Sequence, residues 1–336
     1  MGDAESGALW LQAAKAYMYV LTWMSISCAV IMFNKWVLAY SGFPFPLSLI
    51  MWHMIFCSAL SFLLVRVFKV VKPLGMPQKD YIHRVMPIGA LYAASLWLSN
   101  SAYLHLSVSF IQMTKALMPG LVYCTGVYMG TEKLTAVTSL NMIVIAIGVA
   151  IAAYGELHIV LIGVYQQLSA LVFEATRLML VQVLMNSQGY TMNPIQSLYY
   201  VSPACLFCLS IPWLAVELPQ LRMTSGLQID PLIFLANAAT AFLLNIAVFM
   251  LIGQTSALTM NIAGVIKDWI LIWMSMSVFK SPITELNLFG YFIAFLAVMF
   301  YNYKKLVDAK QREAAKSKLA ADVEAPADGA KQSASR

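Results

Sequence analysis

The chain has 336 residues, of which 61% are apolar and 11% are charged, and its mean hydropathy is +0.75. Soluble domains carry about 25% charged residues, so this composition excludes a soluble protein and indicates a polytopic protein of the lipid bilayer. The net charge is +6. Most basic residues lie in two short stretches beside apolar segments, where membrane orientation explains them, so no nucleic-acid partner is implied.

Ten membrane spans are predicted from the apolar runs between Gly, Pro and charged residues. A membrane helix needs about 20 mostly apolar residues, and each of these runs approaches or exceeds that length. The predicted spans cover about residues 15–40, 46–68, 85–104, 107–129, 135–154, 157–184, 194–216, 231–252, 255–278 and 284–303.

The loop charges predict that both termini are cytosolic, because cytoplasmic loops carry an excess of Lys and Arg. The loops assigned to the opposite side contribute only Arg222 and Lys280. The N-terminus lacks the Arg- and Ser-rich, acid-poor character of an import leader, which argues against a plastid location and favours an endomembrane one. The basic residues assigned to the cytosol are Arg66, Lys69, Lys72, Lys79, Arg84, Lys304, Lys305, Lys310 and Arg312.

The fourth and ninth spans align with each other at an offset of 152 residues, which matches Lys115 with Lys267. If each half holds five helices, an odd number, the second half enters the membrane in the opposite sense. We therefore expect an all-α transmembrane, ten-helix bundle of two inverted five-helix repeats. The repeats are predicted at 1–155 and 156–305, followed by a disordered cytosolic tail at 306–336.

Lys115 and Lys267 are predicted to form an anion-binding centre. A charged side chain near the bilayer centre costs about 2.5 to 3.5 kcal/mol, so both lysines should face a water-filled cavity. Gln112 precedes Lys115 by three positions and shares its helix face, while Ala263 and Gly264 leave space beside Lys267. Two ammonium groups near the midplane suit a phosphate or diphosphate. The alternative is that each lysine pairs with a buried carboxylate.

Asp268 directly follows Lys267 and shares a helix face with Asn261 and Gly264. Adjacent helical residues point about 100° apart, which argues against pairing with Lys267. We expect Asp268 either to pair with Lys115 in the empty carrier or to accept hydroxyl groups of the substrate. Both alternatives place it in the cavity.

Further charged residues lie in the first and sixth spans. Glu174 and Arg177 are three positions apart, so they can form an ion pair on one helix face or contact substrate. Asn34 and Lys35, near the end of the first span, are candidate substrate contacts. Lys35 is also close enough to the boundary to extend toward water.

Four other residues complete the predicted substrate site. Asn100 and Asn245 are polar residues inside spans, which either bind substrate or bridge helices. Tyr103 and Trp269 lie near the lysine helices and could stack on a nucleobase.

No catalytic site, metal or cofactor is predicted. The four histidines, at 53, 83, 105 and 158, are scattered along the chain without the spacing of metal ligands or of a general base. A membrane-embedded transferase is therefore only a remote alternative to a transporter.

The segments SVSFIQMTKALMPG around Lys115 and SALTMNIAGVIKDW around Lys267 resemble the plant triose-phosphate and nucleotide-sugar translocators of the drug/metabolite transporter superfamily. The resemblance covers about residues 15–305 and implies ten helices in two inverted halves, with phosphate bound by both lysines. Plastid members have a Lys-Arg pair at the second motif. The Lys267-Asp268 pair instead resembles the so-called KD subgroup, which argues against triose-phosphate exchange.

The resemblance implies a Golgi carrier that imports a UDP-sugar, such as the UDP-pentose UDP-arabinofuranose, in exchange for a nucleoside monophosphate. The mechanism expected is alternating access. The alternative is an endomembrane antiporter that exchanges sugar phosphate or phosphoenolpyruvate for phosphate. A homodimer is left open.

Overall fold

The computed structural model describes residues 2–156, 159–185, 192–224, 230–251 and 257–333. Within these ranges all regular structure is helical, as expected where lipid forces backbone groups to bond within their own segment. The helices are α1 (Gly2–Ala39), α2 (Pro46–Phe62), α3 (Gln78–Asp80), α4 (Met86–His105), α5 (Val108–Thr114), α6 (Met118–Tyr128), α7 (Ala136–Tyr154), α8 (Leu161–Leu180), α9 (Pro194–Pro212), α10 (Leu218–Met223), α11 (Pro231–Leu251), α12 (Ala257–Phe279) and α13 (Glu285–Ser333).

Six helical segments of the described residues are long and apolar enough to cross a membrane, which confirms an all-α transmembrane protein. The other four predicted spans correspond to α4, to α5 with α6, to α8 and to α12, which are helical but fall outside this set. The ten-span count and the cytosolic termini therefore stay predictions. The six segments are Lys15–Ala39, Pro46–Val67, Ala136–Tyr154, Pro194–Met223, Pro231–Leu251 and Glu285–Gln311.

The bundle has one end rich in basic residues, which we call the basic end and define by Arg66, Lys133 and Lys304. The short connections predict that successive long helices run antiparallel, which assigns these three positions to the same end. Lys133 and Lys304 line one crevice there, and the Lys304 ammonium donates to Thr138 Oγ1 over 3.2 Å.

The opposite end, which we call the Phe43 end, is closed by an apolar cluster. Phe43 packs edge-on against Phe234 of α11, with ring centroids 4.8 Å apart, and Tyr40 stacks on Phe279 of α12 at 5.0 Å. Phe43 is buried and Tyr40 is exposed, and the two ring contacts join the end of the first predicted span to the eighth and the ninth. Other buried members of the cluster include Val37, Leu38, Phe45, Leu49, Tyr103, Leu106, Val108, Phe110 and Ile111.

Helices α7 and α13 pack through a seam of small residues. A Cβ added to Gly148 would lie 2.6 Å from the backbone nitrogen of Ala294, and Gly290 approaches the backbone at Ala152 equally closely. Both alanines are fully buried. Each helix thus presents a glycine and an alanine four positions apart, which is the small-residue pattern that lets membrane helices approach closely.

Helix α13 is described to Ser333, and its charged part is rich in Ala and Lys, which are strong helix formers. The disordered cytosolic tail at 306–336 stays a prediction. The division of the chain into repeats at 1–155 and 156–305 stays a prediction.

Candidate functional site

The helix that carries Lys115 is broken at this lysine. Helix α5 ends at Thr114, Lys115–Leu117 form a 3₁₀ turn, and α6 begins at Met118. Pro119 explains the break, because it has no N–H and its ring clashes with the carbonyl four residues earlier, which is that of Lys115. The Met118 N–H binds this carbonyl instead. Broken helices of this kind often form the binding sites of membrane carriers.

A cavity of about 280 Å³ lies beside this break, between α5–α6 on one side and α12 and α13 on the other. Lys115 and Asp268 both line it, as predicted. Gly264 also lines it, and among the described residues a Cβ at Gly264 would meet only an atom of Trp23, at 4.0 Å, so there is space beside this position. The remaining lining residues are Ala116, Met118, Pro119, Val265, Tyr291, Phe295, Val298 and Asn302.

Lys267 and Asp268 form an ion pair, with Nζ and Oδ1 2.9 Å apart. The expectation that adjacent helical residues point too far apart to pair is therefore wrong. The long lysine side chain folds toward its neighbour, although the two Cα–Cβ bonds diverge. Lys267 is thus linked to the cavity by Asp268, which lines the cavity and whose carboxylate binds the Lys267 ammonium.

Within the described residues, the ammonium of Lys115 has neither a hydrogen bond nor an ion pair. Its charge interacts with those of Lys267, Asp268 and Glu174, which places all four groups in one electrostatic neighbourhood. The expected pairing of Lys115 with Asp268 is not made. Lys115 is thus a cation with space beside it.

Glu174 and Arg177 form the ion pair predicted from their spacing. Arg177 Nε lies 2.9 Å from Glu174 Oε2, and its Nη2 lies 2.5 Å from Oε1, so the contact is bidentate. Ser95 also donates to Glu174 over 3.0 Å, and the guanidinium lies 4.8 Å from the ring centre of Tyr92. Because Glu174 and Arg177 neutralise each other, they add no net charge beside Lys115.

Gln112 is 1% exposed, and neither atom of its amide has a hydrogen-bond partner in the described residues. A buried amide without partners is costly, so Gln112 retains the capacity to bind a ligand. Asn261 belongs to α12, but its side chain lies outside the described part of the structure.

Asn34 and Lys35 make internal contacts. Asn34 Nδ2 donates to Asn100 Oδ1 over 3.3 Å. The Lys35 ammonium is buried and donates to the backbone carbonyls of Tyr103 and Leu106, at 2.6 and 2.9 Å. These carbonyls belong to the C-terminus of α4, where a cation is favoured. Lys35 therefore joins α1 to α4 and does not extend toward water.

The remaining predicted contacts are also occupied within the protein. Asn245 donates to the carbonyl of Ala241 in its own helix, at 2.9 Å. The Tyr103 ring lies in the apolar cluster of the Phe43 end. The Trp269 ring packs against Tyr291 at 5.1 Å and against Phe295 at 6.0 Å, so it supports two residues of the cavity wall.

The cavity residues on α13 are absent from the sequence prediction. Tyr291, Phe295 and Asn302 lie at intervals of four and seven residues, which places them on one helix face. This spacing is visible in the sequence, but it equally describes an ordinary packing face. Asn302 is the stronger signal, because it is a polar residue near the end of an apolar span.

A membrane-spanning helical bundle with a lysine-lined cavity at a helix break is the arrangement of many membrane transporters. The sequence model of the Triose-phosphate Transporter family matches residues 14–302, so the chain belongs to this family and is a multi-pass transporter, not an enzyme.

Three curated relatives from Arabidopsis thaliana are each named a probable sugar phosphate/phosphate translocator. The first is 55% identical over 311 residues, which cover 92% of this chain and 89% of the relative. The second is 53% identical over 95% of this chain and 91% of the relative. The third is 52% identical over 96% of this chain and 93% of the relative.

Proposed function

We propose that the chain is an antiporter for phosphorylated metabolites and that Lys115 is the centre of its anion site. The observation that carries the proposal is the ammonium of Lys115, which lines a cavity at a helix break without a partner among the described residues. Together with Lys115, the neighbourhood holds three cations, the other two being Lys267 and Arg177, and it holds two carboxylates, which leaves one positive charge. A phosphate group supplies the missing negative charge and several hydrogen-bond acceptors.

The exchange of a sugar phosphate for phosphate is the first candidate. The cavity of about 280 Å³ falls just below the range of about 300 to 1,000 Å³ typical of sites for drug-sized ligands, so it favours a small substrate. All three relatives are named probable sugar phosphate/phosphate translocators, which supports the same substrate class.

The import of a nucleotide sugar in exchange for a nucleoside monophosphate is the second candidate, and Asp268 favours it. This carboxylate stands where the resemblance places an arginine in plastid members, and it can accept hydrogen bonds from sugar hydroxyls. We propose the Golgi membrane as the location for this function, with a UDP-pentose as its substrate. Alternating access of two inverted repeats is proposed for both candidates.

The test uses purified protein in liposomes preloaded with either inorganic phosphate or UMP. Uptake of labelled sugar phosphates that depends on internal phosphate supports the first candidate, and uptake of UDP-sugars that depends on internal UMP supports the second. Uptake that ignores preloading contradicts exchange.

Substitution of the central lysine tests the site itself. Lys115→Ala should reduce exchange by roughly tenfold or more, because hydrogen bonds to a charged group contribute about 1.5 to 3 kcal/mol. Lys133→Ala is the matched control, because this exposed lysine lies at the basic end, outside the central cavity. Equal exchange by both variants would show that the anion binds elsewhere.

A further inference from the structure

Four buried polar side chains form a continuous hydrogen-bonded chain through the bundle. Asn100 Nδ2 donates to the Leu96 carbonyl over 2.9 Å, and Asn34 Nδ2 donates to Asn100 Oδ1 over 3.3 Å. Asn237 Nδ2 donates to Asn34 Oδ1 over 3.0 Å, and His53 Nε2 contacts Asn237 Oδ1. We call this the amide chain. Its members are at most 9% exposed.

The backbone carbonyl of Leu96 fixes the direction of every bond in the amide chain, because a carbonyl can only accept. Asn100 must therefore direct its NH₂ group toward Leu96 and its oxygen toward Asn34. By the same reasoning, Asn34 directs its NH₂ group toward Asn100 and its oxygen toward Asn237. Asn237 directs its NH₂ group toward Asn34 and its oxygen toward His53. His53 must donate from Nε2, so the amide chain selects the ring form that carries a proton on this nitrogen.

The amide chain joins four helices at one level of the bundle. Asn34 lies near the end of α1, and Asn100 lies near the end of α4. His53 and Asn237 lie within two turns of the beginnings of α2 and α11. All four positions are therefore next to the Phe43 end, beside its apolar cluster. Asn237 belongs to the predicted second repeat and the other three belong to the first, so Asn237 connects the two halves.

We propose that His53 is a positioning residue for transport, which holds the Phe43 end closed by donating its Nε2 proton to Asn237. This inference rests on the proposed alternating-access function. For this end to open, α11 must separate from α1 and α2, and the bonds of Asn237 to Asn34 and His53 must break. Removing the histidine donor leaves a buried amide oxygen without a partner and therefore favours the open state.

The test measures access to the closed end without any substrate. Ala102 is fully buried in the apolar cluster, so a cysteine at this position should react with a hydrophilic methanethiosulfonate only when the Phe43 end opens. Peptide mass spectrometry reads labelling at this position separately from the native cysteines. A cysteine at Met223, which is 86% exposed at the end of α10 and lies two residues from Leu221 of the apolar cluster, reports the reactivity of the reagent itself.

His53→Leu should increase labelling at position 102 by about tenfold, through a larger population of the open state, and leave labelling at position 223 unchanged. His53→Gln should label as slowly as the unmodified chain, because the glutamine NH₂ group can still donate to Asn237. Failure of the glutamine to restore slow labelling would indicate a role in packing and would overturn the proposal.

Asn237→Leu provides a second variant of similar side-chain volume. It removes the acceptor for His53 and the donor to Asn34, so it should also increase labelling at position 102. If His53→Leu does not fold, this second variant is used for the test. Unchanged labelling at position 102 in it contradicts the proposal. Because neither measurement uses a substrate, the absence of exchange in liposomes would leave both results interpretable.

Discussion

At the scale of single residues, the carboxylate of Asp268 competes with the substrate for a cation. It binds the ammonium of Lys267 at 2.9 Å, so a phosphate that enters the cavity meets a paired Lys267 and a Lys115 that has no partner in the described part of the chain. Both members of the pair are partly exposed, with 13% and 27% of their side-chain surfaces accessible, so the pair can open at modest cost. The proposed phosphate must therefore displace an internal anion to bind both lysines.

We predict that Asp268→Asn binds inorganic phosphate about twofold to fivefold more tightly, because a partly exposed ion pair contributes about 0.2 to 1 kcal/mol. The measurement is the phosphate-dependent thermal stabilisation of the purified protein in detergent. Asp308→Asn, at the basic end, should bind as the unmodified chain does. Weaker binding by Asp268→Asn would show that the carboxylate supports the anion site.

The residues of the site differ in how well the sequence predicts their position and contacts. Lys115 could be predicted because one charge in a long apolar run needs a cavity or a partner. The ion pair between Lys267 and Asp268 could not be predicted from the sequence, because it depends on the rotamer of the flexible lysine side chain. The amide chain was missed for another reason: the contact between His53 and Asn237 joins helices 184 positions apart.

At the scale of elements, composition and helix geometry predict more of the structure than they do for single residues. The predicted spans at 46–68, 135–154 and 231–252 agree closely with Pro46–Val67, Ala136–Tyr154 and Pro231–Leu251. Each is a long apolar run between clear breaks. The break at Lys115 was also readable, because Pro119 lies four residues further on, but apolar composition alone treats 107–129 as one continuous helix.

The seam between α7 and α13 yields a prediction at this scale. Gly148→Leu should destabilise the protein by about 1 to 3 kcal/mol or more, because its side chain would collide with the backbone of α13. The thermal unfolding midpoint in detergent measures the effect. Gly75→Ala is the control, since a Cβ at Gly75 has no atom within 4 Å. Equal midpoints for the two variants would show that the helices separate easily.

At the scale of the whole molecule, the charge distribution defines an orientation. Arg66, Lys133 and Lys304 mark one end, and the opposite end is sealed by aromatic rings. If Lys and Arg mark the cytosolic side, the apolar cluster of the Phe43 end lies at the opposite side of the membrane. The relation between the two repeats is harder to derive, because the likeness of two short lysine segments does not define how ten helices pack.

Tags at both ends test the predicted topology. In sealed vesicles, an added protease should remove the N-terminal and C-terminal tags together or spare both, because an even number of spans returns the chain to its starting side. A cysteine at Tyr40 should react with an impermeant reagent from the opposite side. Digestion of one tag alone would require an odd number of spans and would contradict the prediction.

The close approach of α7 and α13 has a mechanical consequence for the proposed motion. These helices belong to different predicted halves, and their backbones touch at Gly148 and Gly290, where no side chain can yield. A rotation of one half against the other then has its axis along the contact between α7 and α13. Displacement grows with distance from the pivot, so the largest excursions fall on the helices furthest from α7 and α13.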